Sequence, residues 1–295
     1  MSDWISVESD VTKSRSANRM FTVGPMSTSF CTSQNCSALA FDARSSVAHS
    51  KFVLNVVHGP YELRLAQTET ERAAAYRLRF EVFNLELREG LDTAFGTGQD
   101  VDEFDSIWDH LIVEDSRGGQ IVGTYRLQTG STAAAYAGYY SEREFDFRPY
   151  EPLRGRIVEL GRACIHREHR SSEVLLLLWR GILQYAMHSA ARYLIGCCSL
   201  TSQNPAEGTS VFAALSGSLT ETRLRTNPHA GFRMPFVRGT HREPKIPKLL
   251  RTYLAVGAKI CGPPAIDREF KTIDFLTLMD LDQLNRGLHS RFLKQ

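Results

Sequence analysis

The sequence predicts an α/β protein, an α+β sandwich whose mixed central sheet is flanked by helices. Three observations support this fold class. Strand-like segments alternate with helical segments through most of the chain. An apolar segment at 156–160 ends in charged residues and is followed by a strongly apolar helical run at 174–193. The 295 residues, 42% of them hydrophobic, are also enough to bury a substantial core.

The first part of the chain has no hydrophobic period. Residues 1–58 are rich in Ser, with Thr and Asn, and alternate at neither strand nor helix spacing. We therefore expect a mostly disordered N-terminal extension over 1–58, followed by one folded domain over 59–295.

The folded domain is predicted to contain strand, helix, three strands, helix, strand, helix and strand in that order. Alternating apolar residues predict the strands, and apolar stripes at helical spacing predict the helices. The turn Ser116-Arg117-Gly118-Gly119 predicts a hairpin. In chain order the elements are strand 61–65, helix 68–87, strands 110–114, 120–127 and 156–160, helix 174–193, strand 193–199, a less regular region 203–247, helix 248–258 and strand 273–279.

Charge and hydropathy limit the function classes. A net charge of +2 gives no indication of nucleic-acid binding. No apolar run reaches the roughly 18 residues that cross a bilayer, and the N-terminus does not resemble a signal peptide. We expect a cytoplasmic protein, with peripheral contact at the inner face of the cytoplasmic membrane as a further option.

Basic residues gather late in the chain with few acids among them. Such a cluster suits an acidic partner protein, a phosphate or an anionic lipid surface, and it is equally typical of a solvated basic face. The late basic cluster comprises Arg223, Arg225, Arg233, Arg238, Arg242, Lys245, Lys248 and Arg251.

The sequence gives no support for a metal or a permanently bound cofactor. The six cysteines fit no zinc spacing and are interpreted as reduced thiols. His166 and His169 stand three apart without an evident third ligand. A nucleophile elbow, a P-loop and a dinucleotide-binding glycine motif are all missing from the sequence.

Charged residues cluster at the ends of predicted elements. The clusters are Arg77 to Phe83 on the first helix, the acids of 102–109 before a strand, Arg126 inside an apolar strand, and Glu159 with Arg162. A charge inside a strand is costly unless it is paired. Arg126 and Glu159 could therefore simply pair with each other or with the acids of 102–109, or they could form a catalytic site.

Taken together, the motifs resemble the ornithine-lipid branch of acyltransferases in the GNAT superfamily. The resemblance spans roughly 60–280. It is found in Arg77-Leu-Arg-Phe-Glu-Val-Phe83, Glu103-Phe-Asp-x-x-x-Asp-His-Leu-Ile-Val113, Val122-Gly-Thr-Tyr-Arg-Leu127, Gly138-Tyr-Tyr-Ser-Glu142, Glu159-Leu-Gly-Arg-x-Cys164, Leu176-Leu-Leu-Trp179, Ile195-Gly-Cys-Cys-Ser199, 248–262, Pro264-Ala-Ile-Asp267 and Thr272-x-Asp274.

A second, weaker resemblance is to acyl-homoserine-lactone synthases. It rests on the ordered set Arg79-x-x-x-Phe83, Asp102-x-x-Asp105, Arg126 and Glu159-x-x-Arg162. Both groups of enzymes transfer an acyl group from a carrier protein to the amine of an amino-acid-like acceptor.

These resemblances imply a GNAT-like domain with a mixed, mostly antiparallel twisted sheet. The implied reaction transfers a fatty acyl group, 3-hydroxylated or not, from acyl carrier protein to the α-amine of ornithine, giving lyso-ornithine lipid. The donor would be the acyl-phosphopantetheine of the carrier protein. The partners would be the carrier protein and ornithine or another amino acid.

One departure from the GNAT pattern favours a carrier-protein donor. Acetyl-CoA-dependent members hold the CoA pyrophosphate in a Gly-rich turn, whereas this chain reads Arg170-Ser171-Ser172-Glu173. A carboxylate there would repel a pyrophosphate, while a phosphopantetheine arm has one phosphodiester and an acidic carrier protein would suit the late basic cluster. Glu173 could also simply complement the helix N-terminus.

The resemblance also assigns roles to individual residues. Glu159 would accept the amine proton, directly or through water, with Asp105 and a water as the competing base. Arg162 or Arg126 would bind the acceptor carboxylate. This hypothesis requires Glu159 to lie beside a passage wide enough for a fatty chain. The remaining predicted site residues are Arg79, Phe83, Asp102 and Asp109 for the acceptor, and Leu160, Cys164, Arg170, Ser171 and Ser172 for the donor.

Three alternatives stay open at this level. The same fold could acylate another amino acid or make an acyl-homoserine-lactone-type signal. It could use acetyl-CoA as an N-acetyltransferase. A membrane-lytic protein is disfavoured, because the sequence contains no amphipathic segment of membrane size.

Overall fold

A computed structural model describes residues 53–237 and 243–284. Within these ranges the chain forms nine strands and five α-helices, joined by short 3₁₀ turns. The elements are β1 (Asn55–His58), β2 (Tyr61–Leu65), α1 (Glu69–Phe80), β3 (Asp109–Asp115), β4 (Gln120–Thr129), α2 (Gly130–Ala135), β5 (Ile157–Ile165), α3 (Ser172–His188), β6 (Tyr193–Leu200), α4 (Pro205–Ala214), α5 (Lys248–Ala255), β7 (Lys259–Ile260), β8 (Ala265–Asp267) and β9 (Thr272–Asp280).

The strands form one mixed sheet in the order β1-β2-β3-β4-β5-β6-β9-β7, and β8 also pairs with β9. Among the described strands every pair is antiparallel except β5 with β6. The crossover between these two parallel strands is α3, as expected for strands that run in the same direction. The predicted α/β fold with a mostly antiparallel sheet is therefore confirmed.

Side chains of α1 and α3 cover opposite faces of the sheet. Even-numbered Ile112 packs with Ala75 and Leu78 of α1. Odd-numbered Leu111 and Leu63 instead approach Gly181 of α3, where a Cβ would come within 2.9 Å of both. The strand period of two therefore assigns each residue to the α1 face or the α3 face.

Local sequence sets the start of the first helix. Thr68 caps α1 by accepting a hydrogen bond from the Glu71 backbone N–H, and the Glu71 carboxylate accepts from the Thr68 N–H in return. The helix then continues as a π-helical turn over Glu81–Glu86. The predicted helix 68–87 thus corresponds to an α-helix and a π-helical turn, the second of which often lies at functional sites.

The boundaries differ from prediction in several places. The predicted helix 174–193 corresponds to α3, which ends at His188. β1 lies inside the segment assigned to the N-terminal extension, whose residues 1–52 lie outside the described ranges. α4 occupies part of the region 203–247 that the sequence suggested was irregular. β5 extends to Ile165, so Glu159 lies within the strand and not at its end. Glycine at 161 and the polar side chains around it hid this continuation, because they interrupt the apolar pattern.

Across residues 53–237 and 243–284, no helix has both the length and the apolarity that crossing a bilayer requires.

Candidate active site at the splayed strands

The two parallel strands separate in the middle of the sheet. β5 and β6 pair at only three positions, ending at Glu159 opposite Ile195. Gly196 follows, where a Cβ would lie 2.3 Å from the carbonyl oxygen of Leu160, so the strands approach closely just before they diverge. A narrow cleft with a cavity volume of about 40 Å³ opens beyond this point, lined by Tyr125, Leu160, Gly161, Arg162, Ala163, Trp179, Leu194, Ile195, Gly196, Cys197, Leu249, Tyr253, Ala258, Thr277 and Met279.

Aromatic and aliphatic side chains dominate the part of the cleft on the α3 face. Trp179 and Tyr253 contact each other edge to face at 5.4 Å, and the Tyr125 and Tyr253 hydroxyls share a hydrogen bond. Leu160, one of the predicted donor-binding residues, lies in this wall and is buried. Such a wall suits an apolar ligand, because contact with it removes apolar surface from water.

The α1 face of the same strands holds a network of three arginines and three aspartates. Arg79 donates to Asp100 (Nε–Oδ2 2.8 Å) and, through both terminal nitrogens, to Asp105 (2.7 and 2.9 Å). Arg126 Nη1 donates to Asp102 Oδ1 (2.5 Å) and to Asp105 Oδ1 (3.0 Å).

Arg162 completes this network from β5. Its Nη2 donates to Asp102 Oδ2 at 3.0 Å, and its Nε lies 3.3 Å from Asp100 Oδ2. Its backbone has a φ of 49°, an uncommon conformation for a residue with a side chain, and the β4–β5 register shifts beside it between Thr124 and Arg126. Arg162 therefore lines the cleft and also belongs to the network.

The network is electrically balanced, which fixes the protonation of its acids. Asp105 is buried, and although burial opposes ionisation, the Arg126 and Arg79 guanidiniums hold its pKa far below the usual range. The pKa of Asp102 is lowered by Arg126 and Arg162 in the same way. An acid held ionised this strongly is a poor proton acceptor near neutral pH, so the geometry argues against Asp105 as the base.

Glu159 is enclosed, contrary to the expectation that it lies beside the passage. Its side chain is 1% exposed and does not line the cleft. The Tyr140 N–H donates to Oε2 (2.8 Å), and the Ser141 N–H (2.8 Å) and hydroxyl (2.5 Å) donate to Oε1. Burial raises the pKa of Glu159 to about 7 against these hydrogen bonds. The elevated pKa of Glu159 agrees with the prediction. Its enclosed position does not agree with the predicted direct contact between Glu159 and a substrate in the cleft.

Other predicted acceptor residues occupy different surroundings. Asp109 lies on the opposite face from the network, where it accepts a hydrogen bond from the Tyr185 hydroxyl of α3 (2.7 Å). Phe83 is buried against Phe270 (centroids 5.5 Å apart), and Phe270 in turn lies under Arg162 at 4.2 Å. The structure thus brings Arg79, Asp102, Arg126 and Arg162 together but separates Asp109 from them, because successive residues of a strand point to opposite faces.

The predicted donor residues are also divided. Cys164 is buried in the core cluster with Ala75 and Leu78, away from the cleft. Arg170 is bound to Glu86 through both terminal nitrogens (2.5 and 2.6 Å). Ser171 caps α3 by accepting from the Val174 N–H (3.4 Å), and Ser172 is exposed in the first turn.

Sequence reasoning gave no role to a buried acidic cluster on the α1 face of β6 and β9. It contains Glu144, Asp267 and Asp274, all at most 5% exposed, beside the half-buried Cys197. One ligand atom each of Glu144, Cys197 and Asp274 lies within 4.8 Å of the others. The sequence contained one signal of this cluster, since Asp267 and Asp274 belong to the last motifs of the resemblance.

Most members of the late basic cluster are on the surface. Arg223, Arg225, Arg233, Lys245, Lys248 and Arg251 are exposed, whereas Arg238 and Arg242 lie outside the described residues.

A family model supports the fold. Residues 78–180 match a family model described as an acetyltransferase (GNAT) domain. The N-acyl amino acid synthase FeeM from uncultured soil microbes is structurally similar, with 12% identity and a TM-score of 0.48 over 76% of this chain and 93% of that one. The protein is an acyltransferase with a GNAT fold.

Curated relatives define the family more narrowly. The chain is 32% identical to the L-ornithine N(alpha)-acyltransferase of Brucella abortus over 77% of its own length and 86% of that protein. It is 30% identical to the enzyme of the same name from Rhodobacter capsulatus, over 76% and 92% of the two chains. The chain belongs to the L-ornithine N(alpha)-acyltransferase family.

Proposed function

We propose that this enzyme transfers a fatty acyl group from acyl carrier protein to the α-amine of ornithine, giving lyso-ornithine lipid. The observation on which the proposal rests is the cleft between β5 and β6, whose wall is apolar on the α3 face and which is bordered by Arg162 and Cys197. An acyl thioester needs an apolar slot beside a polar site where an amine can attack, and the cleft provides both.

The cleft suits the acyl chain and its pantetheine arm. Trp179, Tyr253 and Met279 offer apolar contact, and backbone N–H groups where the two strands diverge would hold the thioester oxygen. The amine nitrogen bonds to the thioester carbon and gives one proton to the base, the carbon–sulfur bond breaks, and the departing thiolate takes up that proton from the base or from water.

Ser141 is proposed to transfer the amine proton to Glu159. The Ser141 hydroxyl donates to Glu159 at 2.5 Å, and its oxygen lies 3.4 Å from Sγ of Cys197, which lines the cleft. Ser141 itself is 0% exposed, so a water or the Cys197 thiol would have to pass the proton from the amine to this hydroxyl. The hydroxyl oxygen can accept a proton while it gives its own to Glu159, whose pKa of about 7 suits this exchange. Glu159 then acts through Ser141 and without touching the substrate.

Two features support carrier protein as the donor in preference to CoA. The first turn of α3 exposes Glu173, which would repel a pyrophosphate. The exposed basic side chains of 223–233 and 245–251 would complement an acidic carrier protein.

The test is a comparison of donors with ornithine as acceptor. The purified chain is incubated with ornithine and either 3-hydroxyacyl carrier protein or the matching acyl-CoA, and products are identified by mass spectrometry. We expect N-acylornithine from the carrier-protein donor at a much higher rate. Equal rates from acyl-CoA, or product only from acetyl-CoA, would contradict the proposed donor.

The contact between Arg170 and Glu86 offers a matched pair of variants. Arg170→Ala removes the guanidinium expected to meet the phosphodiester, so KM for the carrier-protein donor should rise about tenfold. Glu86→Gln frees the same guanidinium from its ion pair and should leave that KM unchanged or lower it. Equal KM values in both variants would exclude Arg170 from the donor site.

A further inference from the structure

A second cleft lies on the α1 face, next to the buried acidic cluster. It has a cavity volume of about 250 Å³ and is lined by residues that include Tyr140, Glu144, Phe232 and Asp267. Glu144 is 1% exposed, and no donor group of the described residues reaches either of its carboxylate oxygens. The same is true of Oδ1 of Asp274, which is 3% exposed.

Unpartnered buried carboxylates are costly, so this arrangement calls for a ligand. A buried carboxylate oxygen that accepts no hydrogen bond has lost its hydrogen bonds to water and gains none from the protein, which costs free energy. Asp267 differs, since its Oδ1 accepts from the backbone N–H groups of Glu269 (2.8 Å) and Phe270 (2.9 Å). The acceptor atoms without a donor are therefore the two carboxylate oxygens of Glu144 and Oδ1 of Asp274.

The acids nearest to this pair act against its ionisation, although Arg143 and Arg268 also line the cleft. Burial, then Asp274 and Asp267, raise the pKa of Glu144 well above its usual value, with Arg162 opposing them. Burial raises the pKa of Asp274 to about 6, with a hydrogen bond from Ser199 opposing it and Asp267 adding to it. Without a ligand such a pair is expected to share a proton, as two close carboxylates do. A cation could take the place of that proton.

We propose that Glu144 and Asp274 bind the side-chain ammonium group of the acceptor amino acid. This inference rests on the proposed function, in which ornithine presents its α-amine to the thioester. The α-amine must be neutral to attack, whereas the second amine stays cationic and needs carboxylates. Asp102 and Asp105, the acids of the balanced network, are already bound by arginines.

The position of Cys197 links the two clefts. Cys197 lines the first cleft, and its sulfur lies in the same group of atoms as the Glu144 and Asp274 carboxylates. An acceptor whose ammonium sits on these carboxylates therefore lies next to the gap between β5 and β6. Burial and the neighbouring acids raise the pKa of the Cys197 thiol well above normal, which favours an ammonium ligand over a metal that would need a thiolate.

The experiment compares ornithine with norvaline, which has the same carbon chain without the terminal amine. The test variants are Glu144→Gln and Asp274→Asn in the full-length chain. Glu81→Gln, which removes one carboxylate from the exposed end of α1, is the charge-matched control. For each protein, kcat/KM is measured for both amino acids, and the rise in melting temperature is measured with each amino acid alone.

We expect both variants to lose about 10- to 100-fold in kcat/KM for ornithine and to change less than about threefold for norvaline, because a charge-assisted contact is lost only for ornithine. The ornithine-dependent rise in melting temperature should disappear in both variants and persist in the control. Equal losses for the two amino acids, or unchanged ornithine kinetics, would overturn the subsite.

The two proposals fail separately. If the wild type binds ornithine through Glu144 but acylates it from no donor, the proposed function fails and the subsite stands. If the wild type acylates ornithine and the variants do so equally well, only the subsite fails.

Discussion

The α1 face of the splayed strands contains two groups of buried acids with opposite surroundings. Asp100, Asp102 and Asp105 meet Arg79, Arg126 and Arg162, so three negative charges face three positive ones. Glu144 and Asp274 share their cluster with Asp267, and Arg162 is the main opposing charge. Accordingly, the pKa values of Asp102 and Asp105 are lowered, while those of Glu144 and Asp274 are raised.

This difference shows that burial of an acid does not by itself indicate a ligand site. The paired aspartates are neutralised by guanidiniums, although Oδ1 of Asp100 accepts no hydrogen bond from the described residues, and Asp102 holds Arg162 beside the cleft. The unpaired acids retain capacity for a cation. Counter-charges from the surrounding segments decide which role a buried carboxylate takes.

The largest expected effect comes from breaking the balanced network. Arg79→Ala leaves Asp100 and Asp105 buried without their main partner, so the free energy of unfolding should fall by about 3–5 kcal/mol. Urea denaturation followed by circular dichroism measures this loss.

Arg72→Ala on the same helix is the control for that variant. Arg72 forms a partly exposed ion pair with Glu69, and its removal should cost about 1 kcal/mol or less. Equal losses in the two variants would mean that the network contributes no more than a surface pair.

Glu159→Gln tests whether the enclosed carboxylate of Glu159 takes part in catalysis. Both Glu159 oxygens accept N–H groups, so the amide nitrogen of Gln would face a donor and the turn at Tyr140–Arg143 should be destabilised by about 1–3 kcal/mol. As the proton acceptor is lost as well, kcat should fall about 10²-fold or more.

The pH profile separates the structural and catalytic roles of Glu159. In the wild type, kcat should rise with pH through about 7, where Glu159 ionises, and in the variant this step should disappear. Ser141→Ala, which removes the proposed relay, should lower kcat and keep the turn. A variant of Glu159 that retains the pH step would exclude the proton-transfer role.

The pH dependence of stability sharpens the comparison between the two acid groups. Glu159 and Asp274 have folded-state pKa values of about 7 and about 6, above the ordinary values of 4.5 and 3.8. The folded chain therefore holds these protons to higher pH than the unfolded chain, and the free energy of unfolding should fall as pH rises from about 4 to about 7. For Glu159 this amounts to on the order of 3 kcal/mol.

The balanced network contributes with the opposite sign. Because the pKa of Asp105 is lowered, its stabilisation is present above about pH 4 and is lost as pH falls below that value. Urea midpoints measured from pH 3 to 8 without ornithine should peak near pH 4–5. Asp274→Asn should make the decline toward pH 7 shallower, and an unchanged slope would contradict the raised pKa of Asp274.

Much of the fold could be predicted from periodicity and turn chemistry. The apolar pattern gave β3, β4, β6 and β9 to within a few residues, and Thr68 with Glu71 marked the start of α1. The two- and three-residue strands β7 and β8 and the helices α2 and α4 were missed, because segments this short or this weakly amphipathic have little pattern of their own. The strands β7 and β8 form because each pairs with β9.

The candidate site was predicted less evenly. The arginine and aspartate set was recognised, and the structure brings Arg79, Arg126 and Arg162 to the same aspartates. Asp109 and Cys164 were assigned to the wrong surroundings, since spacing in the chain does not state which face of the sheet a side chain occupies. The prediction that a passage lies beside Glu159 was also wrong, because the turn carrying Ser141 covers the Glu159 carboxylate.

By itself the sequence determined the order of strands and helices, the family resemblance and the residue types available for catalysis, because local patterns and motifs depend on neighbours along the chain. Only the tertiary structure decided which acids are neutralised and which are left to bind a cation. That outcome depends on desolvation and on guanidiniums from residues 79, 126 and 162, which the fold brings within 3.3 Å of their aspartates. These distances follow from the sheet register and the splay of β5 from β6.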